Sequence, residues 1–271
     1  MPVQKTEAIV LGYHPLGEAD RIVIFCTKEF GNIRAVARGC RKVKSRLCGR
    51  LEILTYGTLV FYERADKDLH VVNSFDVTEP FQVLREELLK MAYCSYLAEL
   101  IQRVEFSGDA DSDTFDLMLE TMSIMKDAHD PEVLVRAFEI RFLQNAGLSP
   151  QLDSCMVCSN DVGTSLKFDV ARGGVLCGEC KGSSGLSARG SIVPISRGTV
   201  ELMKRMQRTP LKLITRLGVL ETSRRELRKV LRSFISYHVS AGRLRSLDFL
   251  TSIENDKELS AAGSWPLVET S

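Results

Sequence analysis

EAIVLGYHPLGEADRIVIFCTKEFGNIRAVARGCRKVKSRLCGRLE, residues 7–52, holds three short apolar, β-branched runs at 7–11, 21–27 and 33–38. Turn-like breaks at 15–20 and at Gly31-Asn32 part them. Two further runs follow at 54–63 and 69–75, separated by 65–68. Five strands in so short a segment predict a small barrel over residues 1–80. The five-stranded OB-fold is the barrel of this size that most often handles oligonucleotides. An SH3-like barrel fits the strand count almost as well.

The quoted stretch closes with a basic run at 33–50, which carries Arg34, Arg38, Arg41, Lys42, Lys44, Arg46 and Arg50 and no acid. Solvated faces ordinarily mix signs. An acid-free run of this density, on a connection between strands, points to a phosphate-binding surface. Glu18 and Asp20 are the suggestive acids beside it, and they read as salt-bridge partners ordering the loop. The chain's net charge of +1 conceals this segregation, because compensating acids gather at Asp109, Asp111, Asp113, Asp116 and Glu120.

Past 78 the apolar period becomes helical: Leu84, Leu88, Met91, Ala92 and Tyr96 share a face through Ile101. Asp130-Pro131-Glu132 supplies an N-cap, a first-turn proline and an acid at the positive end of the dipole. The helix it starts is expected to reach about Asn145, with Gly147 and Pro150 as stops. Helical signals resume near Ser196. A last long helix opens at Ser223-x-x-Glu226, read as a capping box, with Leu227, Val230, Leu231, Phe234, Ile235 and His238 as its stripe. Its opposite face offers Arg225, Arg228 and Arg232 as a second candidate nucleic-acid surface. The expected class is therefore α+β: a barrel over 1–80, then a helical domain over 81–250 with a finger inserted at 151–185. Residues 251–271, polar and aperiodic, are expected to form a flexible tail.

That finger is CMVCSNDVGTSLKFDVARGGVLCGEC, residues 155–180. Two Cys-x-x-Cys knuckles joined by a strand-like hairpin (165–170, a turn at 172–174, and 175–176) complete a tetrahedral thiolate set. Zn2+ prefers such a set. Cys155, Cys158, Cys177 and Cys180 are thus expected to bind one structural zinc, with a thiol redox pair as the alternative. All four positions are filled by protein, so this metal is not catalytic. A zinc deaminase also needs a His-x-Glu beside its cysteines, and the chain has none. Cys26 and Cys94 read as buried small apolar residues. Cys40 and Cys48 flank the basic loop without ligand spacing.

No phosphate-cradling Gly-x-x-x-x-Gly-Lys-Ser/Thr loop is present, so no nucleotide is expected. His14, His70, His129 and His238 pair with no nucleophile, and the chain is not read as an enzyme. The N-terminus lacks a secretory pattern and no apolar run approaches membrane-spanning length, which makes a cytoplasmic location the expectation.

Three segments carry a family likeness: residues 7–52, AYCSYLAELIQRV at 92–104 and FEIRFLQNAGLSPQLDSCMVC at 138–158. Gly-Glu-x-Asp-Arg at 17–21 followed by Arg-Gly-x-Arg-Lys-x-Lys-Ser-Arg at 38–46 is the specific part. With the second knuckle the chain resembles the RecO family of bacterial recombination mediators over roughly residues 1–240. The resemblance implies an N-terminal OB-fold and a helical domain with an inserted zinc finger. It implies binding of single- and double-stranded DNA and annealing of complementary strands. Implied partners are RecR, the C-terminal tail of single-strand binding protein (SSB) and, indirectly, RecA, in a cytoplasmic, nucleoid-associated setting. The alternative is a nucleic-acid-processing enzyme or accessory that docks through a zinc ribbon, and a second rival is a sequence-specific regulator. The aromatics nearest the loop are Phe30, Tyr56, Phe61 and Tyr62, for which core packing is the default. Backbone-dominated, sequence-tolerant binding is therefore expected.

Overall fold

Alternation along the first strand puts Ala8 and Val10 inside a barrel and Ile9 and Leu11 against helices, so both faces are buried. This is why the strand reads as a continuous apolar run. The computed structural model describes residues 2–64, 69–104, 109–161, 163, 166–180, 192–239 and 243–262. The expected turn at 65–68, the Gly/Ser tract at 181–191 and the tail at 263–271 lie outside the described residues.

The barrel comprises β1 (Val3–Leu16), β2 (Asp20–Thr27), β3 (Gly31–Ala37), β4 (Tyr56–Tyr62) and β5 (Leu69–Glu79). It closes in the order β1-β2-β3-β5-β4, an OB-like Greek key. β1 pairs antiparallel with β4, Val3 facing Tyr62 and Ile9 facing Tyr56. β3 pairs parallel with β5 over Arg34↔Leu69, Ala35↔His70 and Val36↔Val71. The interior holds Val23, Phe25, Ala35, Leu59, Phe61 and Phe75. β1 outruns its expected bounds at both ends because its first residues pair with β4, Val3 opposite Tyr62, and its last with β2 as a hairpin arm, Leu16 opposite Asp20.

Helices follow: α1 (Gln82–Glu86), α2 (Leu88–Gln102), α3 (Asp109–Met125) and α4 (Pro131–Asn145). Asn32 Nδ2 donates to the Ile101 carbonyl at 2.8 Å and joins the barrel to the end of α2. Three short strands, β6 (Leu166–Asp169), β7 (Gly174–Leu176) and β8 (Ile192–Ile195), form a sheet in the order β7-β6-β8. Then come α5 (Arg197–Arg208), α6 (Leu211–Ile214), α7 (Glu221–His238) and α8 (Arg245–Ala262).

Three expectations need correction. Asp130 precedes α4 but makes no side-chain cap; its carboxylate accepts from Arg224 instead. α7 begins at Glu221 behind an uncapped Leu220, so Ser223 and Glu226 are not a local box. Glu226 Oε2 accepts from Ser196 N at 2.9 Å and Ser196 Oγ at 2.7 Å, and Ser196 Oγ caps Thr199 N of α5. The box exists, but its two members sit on different helices. Finally, the chain from 251 does not begin as a frayed tail. It is helical to Ala262, and Glu254 is buried, accepting from Tyr93 Oη at 3.0 Å and Arg232 NH2 at 2.6 Å. Glu99 fixes the other end of α8 by accepting from Arg245 N and Ser246 N.

α4 is enclosed by its neighbours, and it carries charge inside. Arg136 and Glu139 are 1% and 0% exposed and face each other at 2.9 Å. Tyr96 Oη donates to Glu139 Oε1 at 2.6 Å. Burial pushes the Glu139 carboxyl above its usual range despite both partners. Removing one member of such a pair strands the other without solvent. Arg136→Met should therefore cost about 3–5 kcal/mol in urea unfolding, and Arg136→Met/Glu139→Leu should recover much of that loss.

Candidate nucleic-acid interface and metal centre

The segment from Arg38 to Thr55 leaves the barrel after β3 and runs back to β4 through successive hydrogen-bonded turns. Lys42 N donates to Gly39 O, Ser45 N to Lys42 O, Cys48 N to Ser45 O and Arg50 N to Leu47 O. Cys40, Leu47, Leu51 and Leu54 are buried beneath. Burial of these residues on one side leaves the cations on the other, with Val43 and Cys48 exposed among them. Arg34, Arg38, Arg41, Lys42, Lys44, Arg46 and Arg50 are all exposed.

Asp20 does order this loop, but not by a salt bridge. Its Oδ1 accepts from Gly39 N at 2.7 Å, and Gly39 has φ +63°, a conformation that favours glycine. Arg41 N donates to Ala19 O at 3.0 Å and Arg41 NH1 to Gly17 O at 3.3 Å. The loop is thereby tied to the tip of the β1–β2 hairpin. Arg50 is spent on Phe75 O and Asp76 Oδ1, each 3.4 Å away. Among the described residues, Arg34, Arg38, Lys42, Lys44 and Arg46 make no ion pair.

The second basic surface is largely withdrawn from solvent. Arg228 Nε lies 2.8 Å from Glu132 Oε1 and Arg232 NH2 lies 2.6 Å from Glu254 Oε2, each side chain about a fifth exposed (21% and 19%). The compensating acids sit on α4 and α8, which periodicity on α7 alone does not reveal. Arg225 remains open, 73% exposed beside Glu221, with Lys229 exposed one turn on. Of the aromatics expected in the core, Phe61 is there, Tyr56 and Tyr62 are half-buried, and Phe30 is 37% exposed, meeting Phe61 edge-on at 5.5 Å. The residue the sequence reading missed is Tyr13, with Arg21 lying over its ring.

The four finger cysteines converge. Their sulfurs all lie within 4.8 Å of one another, and Cys158 Sγ and Cys177 Sγ are 3.7 Å apart. A disulfide needs about 2.05 Å, whereas a tetrahedron with metal–sulfur bonds of about 2.3 Å has edges of about 3.8 Å. Burial pushes the Cys155 thiol up, but backbone N–H groups of Cys158, Cys177 and Val157 outweigh it and bring it to about 6. A thiol of that acidity is a thiolate at neutral pH, the form that ligates. Hydrogen bonds with Cys158 and Cys177 push Cys180 up to about 12, so the crowded thiols retain a proton that a cation would displace. The site therefore fits a metal ion held by four sulfurs.

The finger is seated on the helical core and does not stand apart from it. Phe168, Val175, Leu176, Val193 and Ile195 belong to the helical cluster. Phe168 meets Phe234 of α7 edge-on at 5.7 Å, and His238 Nε2 lies 2.7 Å from the Val170 carbonyl. At Gly173, φ +75°, an added Cβ would press on the Phe234 ring at 3.2 Å.

Comparison with known proteins agrees over nearly the whole chain. Residues 1–81 match the family described as Recombination protein O N terminal, and residues 85–248 match Recombination protein O C terminal. The DNA repair protein RecO of Pelotomaculum thermopropionicum is 32% identical over 250 residues, 92% of this chain and 94% of that protein. That of Anaeromyxobacter dehalogenans is also 32% identical, over 92% of this chain and 96% of its own. That of Alkaliphilus metalliredigens is 30% identical over 92% and 99%.

Cobalt(II) added to metal-free protein should give the absorption of a tetrahedral thiolate site, lost in Cys158→Ser. Because the finger packs on α7, the same substitution should lower the thermal midpoint by roughly 5–10 °C, a loss of about 2–3 kcal/mol. Acidification should release the metal as the thiolates take up protons.

Proposed function

The chain belongs to the RecO family of DNA repair proteins, and we propose that it acts there as a non-catalytic mediator of recombination. In this reading it binds single- and double-stranded DNA through residues 38–50 and anneals complementary strands. With RecR it then promotes loading of RecA onto DNA coated by single-strand binding protein, whose C-terminal tail it contacts. The four-cysteine site holds one structural Zn2+. The setting is the cytoplasm, at the nucleoid; among the described residues no helix is long and apolar enough to cross a membrane.

One observation carries the DNA reading: among the described residues five exposed cations make no ion pair, four of them on a loop pinned at its root and the fifth, Arg34, on the adjoining strand β3. Annealing requires two polyanions to approach, and neutralising phosphates is sufficient for that. Nothing covalent is needed. A pinned loop presents its charges without the entropy cost of ordering them at each encounter. The rival reading, a processing enzyme, needs a carboxylate or nucleotide constellation beside the loop. There, Asp20 is committed to Gly39 N and Glu52 to Arg21.

The proposal is tested by a salt titration of binding to a mixed-sequence single strand. Five phosphate contacts predict a slope of about −3 to −4 in log affinity against log salt. Arg38→Ala/Lys42→Ala/Lys44→Ala/Arg46→Ala, which leaves the anchoring Arg41 in place, should flatten it to about −1. A slope unchanged in that variant would move the DNA path to Arg225 and Lys229 on α7. Cleavage of DNA on adding magnesium would favour the enzyme instead.

A further inference from the structure

The motif Gly17-Glu-x-Asp20-Arg21 is only partly used by the loop. Gly17 lends its carbonyl and Asp20 its carboxylate, and Arg21 meets Cys40 through its backbone N–H, but among the described residues its guanidinium is held by Tyr13 and Glu52, outside residues 38–50. Its guanidinium carbon lies 3.9 Å from the centre of the Tyr13 ring. Its NH1 lies 3.3 Å from Glu52 Oε1, and 23% of the side chain remains in solvent. Tyr13 itself packs on the barrel interior cluster. A ring below and a carboxylate at the edge thus hold one guanidinium in a fixed position.

That position adjoins the candidate phosphate surface. Arg21 pairs across strands with Ala37, the residue before Arg38, and its neighbour Asp20 fastens Gly39. Glu52 offsets its charge, so Arg21 adds little as a phosphate contact. What it retains is a planar, weakly hydrated π surface of the kind that stacks on aromatic faces.

We propose that the Tyr13–Arg21 stack is a nucleobase-stacking site for single-stranded DNA, an inference that rests on the DNA-binding reading above. The loop cations meet phosphates whether or not a strand carries bases. Arginine planes and aromatic rings accept splayed bases, which single strands offer and duplexes keep inside. Of the other aromatics, Phe61 is buried and Tyr56 donates to Glu7. Phe30 packs edge-on against Phe61 with 37% of its surface exposed, and Tyr62 is half-buried at the end of β4, opposite Val3. Among the described residues none of these holds a guanidinium plane. The site gives the surface a way to distinguish an open strand from a duplex of equal charge density.

The test compares a thymidine oligonucleotide with an abasic one of the same length and phosphate count, at one salt concentration, by fluorescence anisotropy. Wild type should bind the base-bearing strand roughly tenfold more tightly, the size of one base stack. Arg21→Lys keeps the charge and loses the plane. It should close that gap while leaving abasic affinity unchanged, and Tyr13→Leu should do the same by removing the support. Equal affinities in wild type, or a gap that survives Arg21→Lys, would sink the stacking site and leave the phosphate surface standing. A matching loss of abasic affinity in Arg21→Lys would make Arg21 a positioning residue for the loop and overturn the site. Failure of wild type to bind either strand would overturn the DNA reading with it.

Discussion

A helix enclosed by other helices carries charge only where its neighbours answer it, and that constraint shapes this molecule from α4 outward. Arg136 and Glu139 answer each other inside, with Tyr96 of α2 completing the carboxylate. At the helix's exposed end, Asp130 and Glu132 answer Arg224 and Arg228 of α7. α8 extends the pattern by bringing Glu254 to Arg232 and Tyr93. The helical domain thus meets most of α7's positive charge from within. Among the described residues Arg34 of β3 and Arg38, Lys42, Lys44 and Arg46 of the barrel loop have no such neighbours, and the electrostatic asymmetry of the protein follows from that difference.

How much of this was legible depended on whether a feature is local in sequence. The barrel strands were legible because alternation and β-branching act residue by residue, and the finger because four thiols at knuckle spacing have few other uses. The pinned loop was half legible: its charges stood in plain sight, but the carboxylate that orders it does so through a backbone N–H, which no charge pattern announces. The misreadings share one cause. Ser223 and Glu226 have capping-box spacing, yet Glu226 is claimed by Ser196. Arg228 and Arg232 have the look of an open basic face, yet acids distant in the chain claim them. α8 was missed although Leu247, Leu250 and Ile253 recur every three residues and pack on the helical core, because the polar residues between them, Glu254 among them, are held by Tyr93 of α2 and Arg232 of α7.

The finger illustrates the same division. Its four convergent thiols are set by two local knuckles and could be read from spacing. Its place on α7 could not. Phe168, Phe234, His238 and Gly173 bring the knuckles into the helical core, so the finger is a brace within the domain. Burial of the hairpin on α7 would give a metal held there a structural consequence beyond the four sulfurs.

The barrel's topology has one more consequence. Three strands form a meander and two form a hairpin, and these halves meet along two seams, β1 with β4 and β3 with β5. The only covalent connection between the halves is the segment from Arg38 to Thr55. It is therefore the tether that sets the effective concentration of one half for the other, with a closure entropy that depends weakly on its length. A polyanion lying along residues 38–50 lies on that tether. Whatever grips it also limits how far the two halves of the barrel can part.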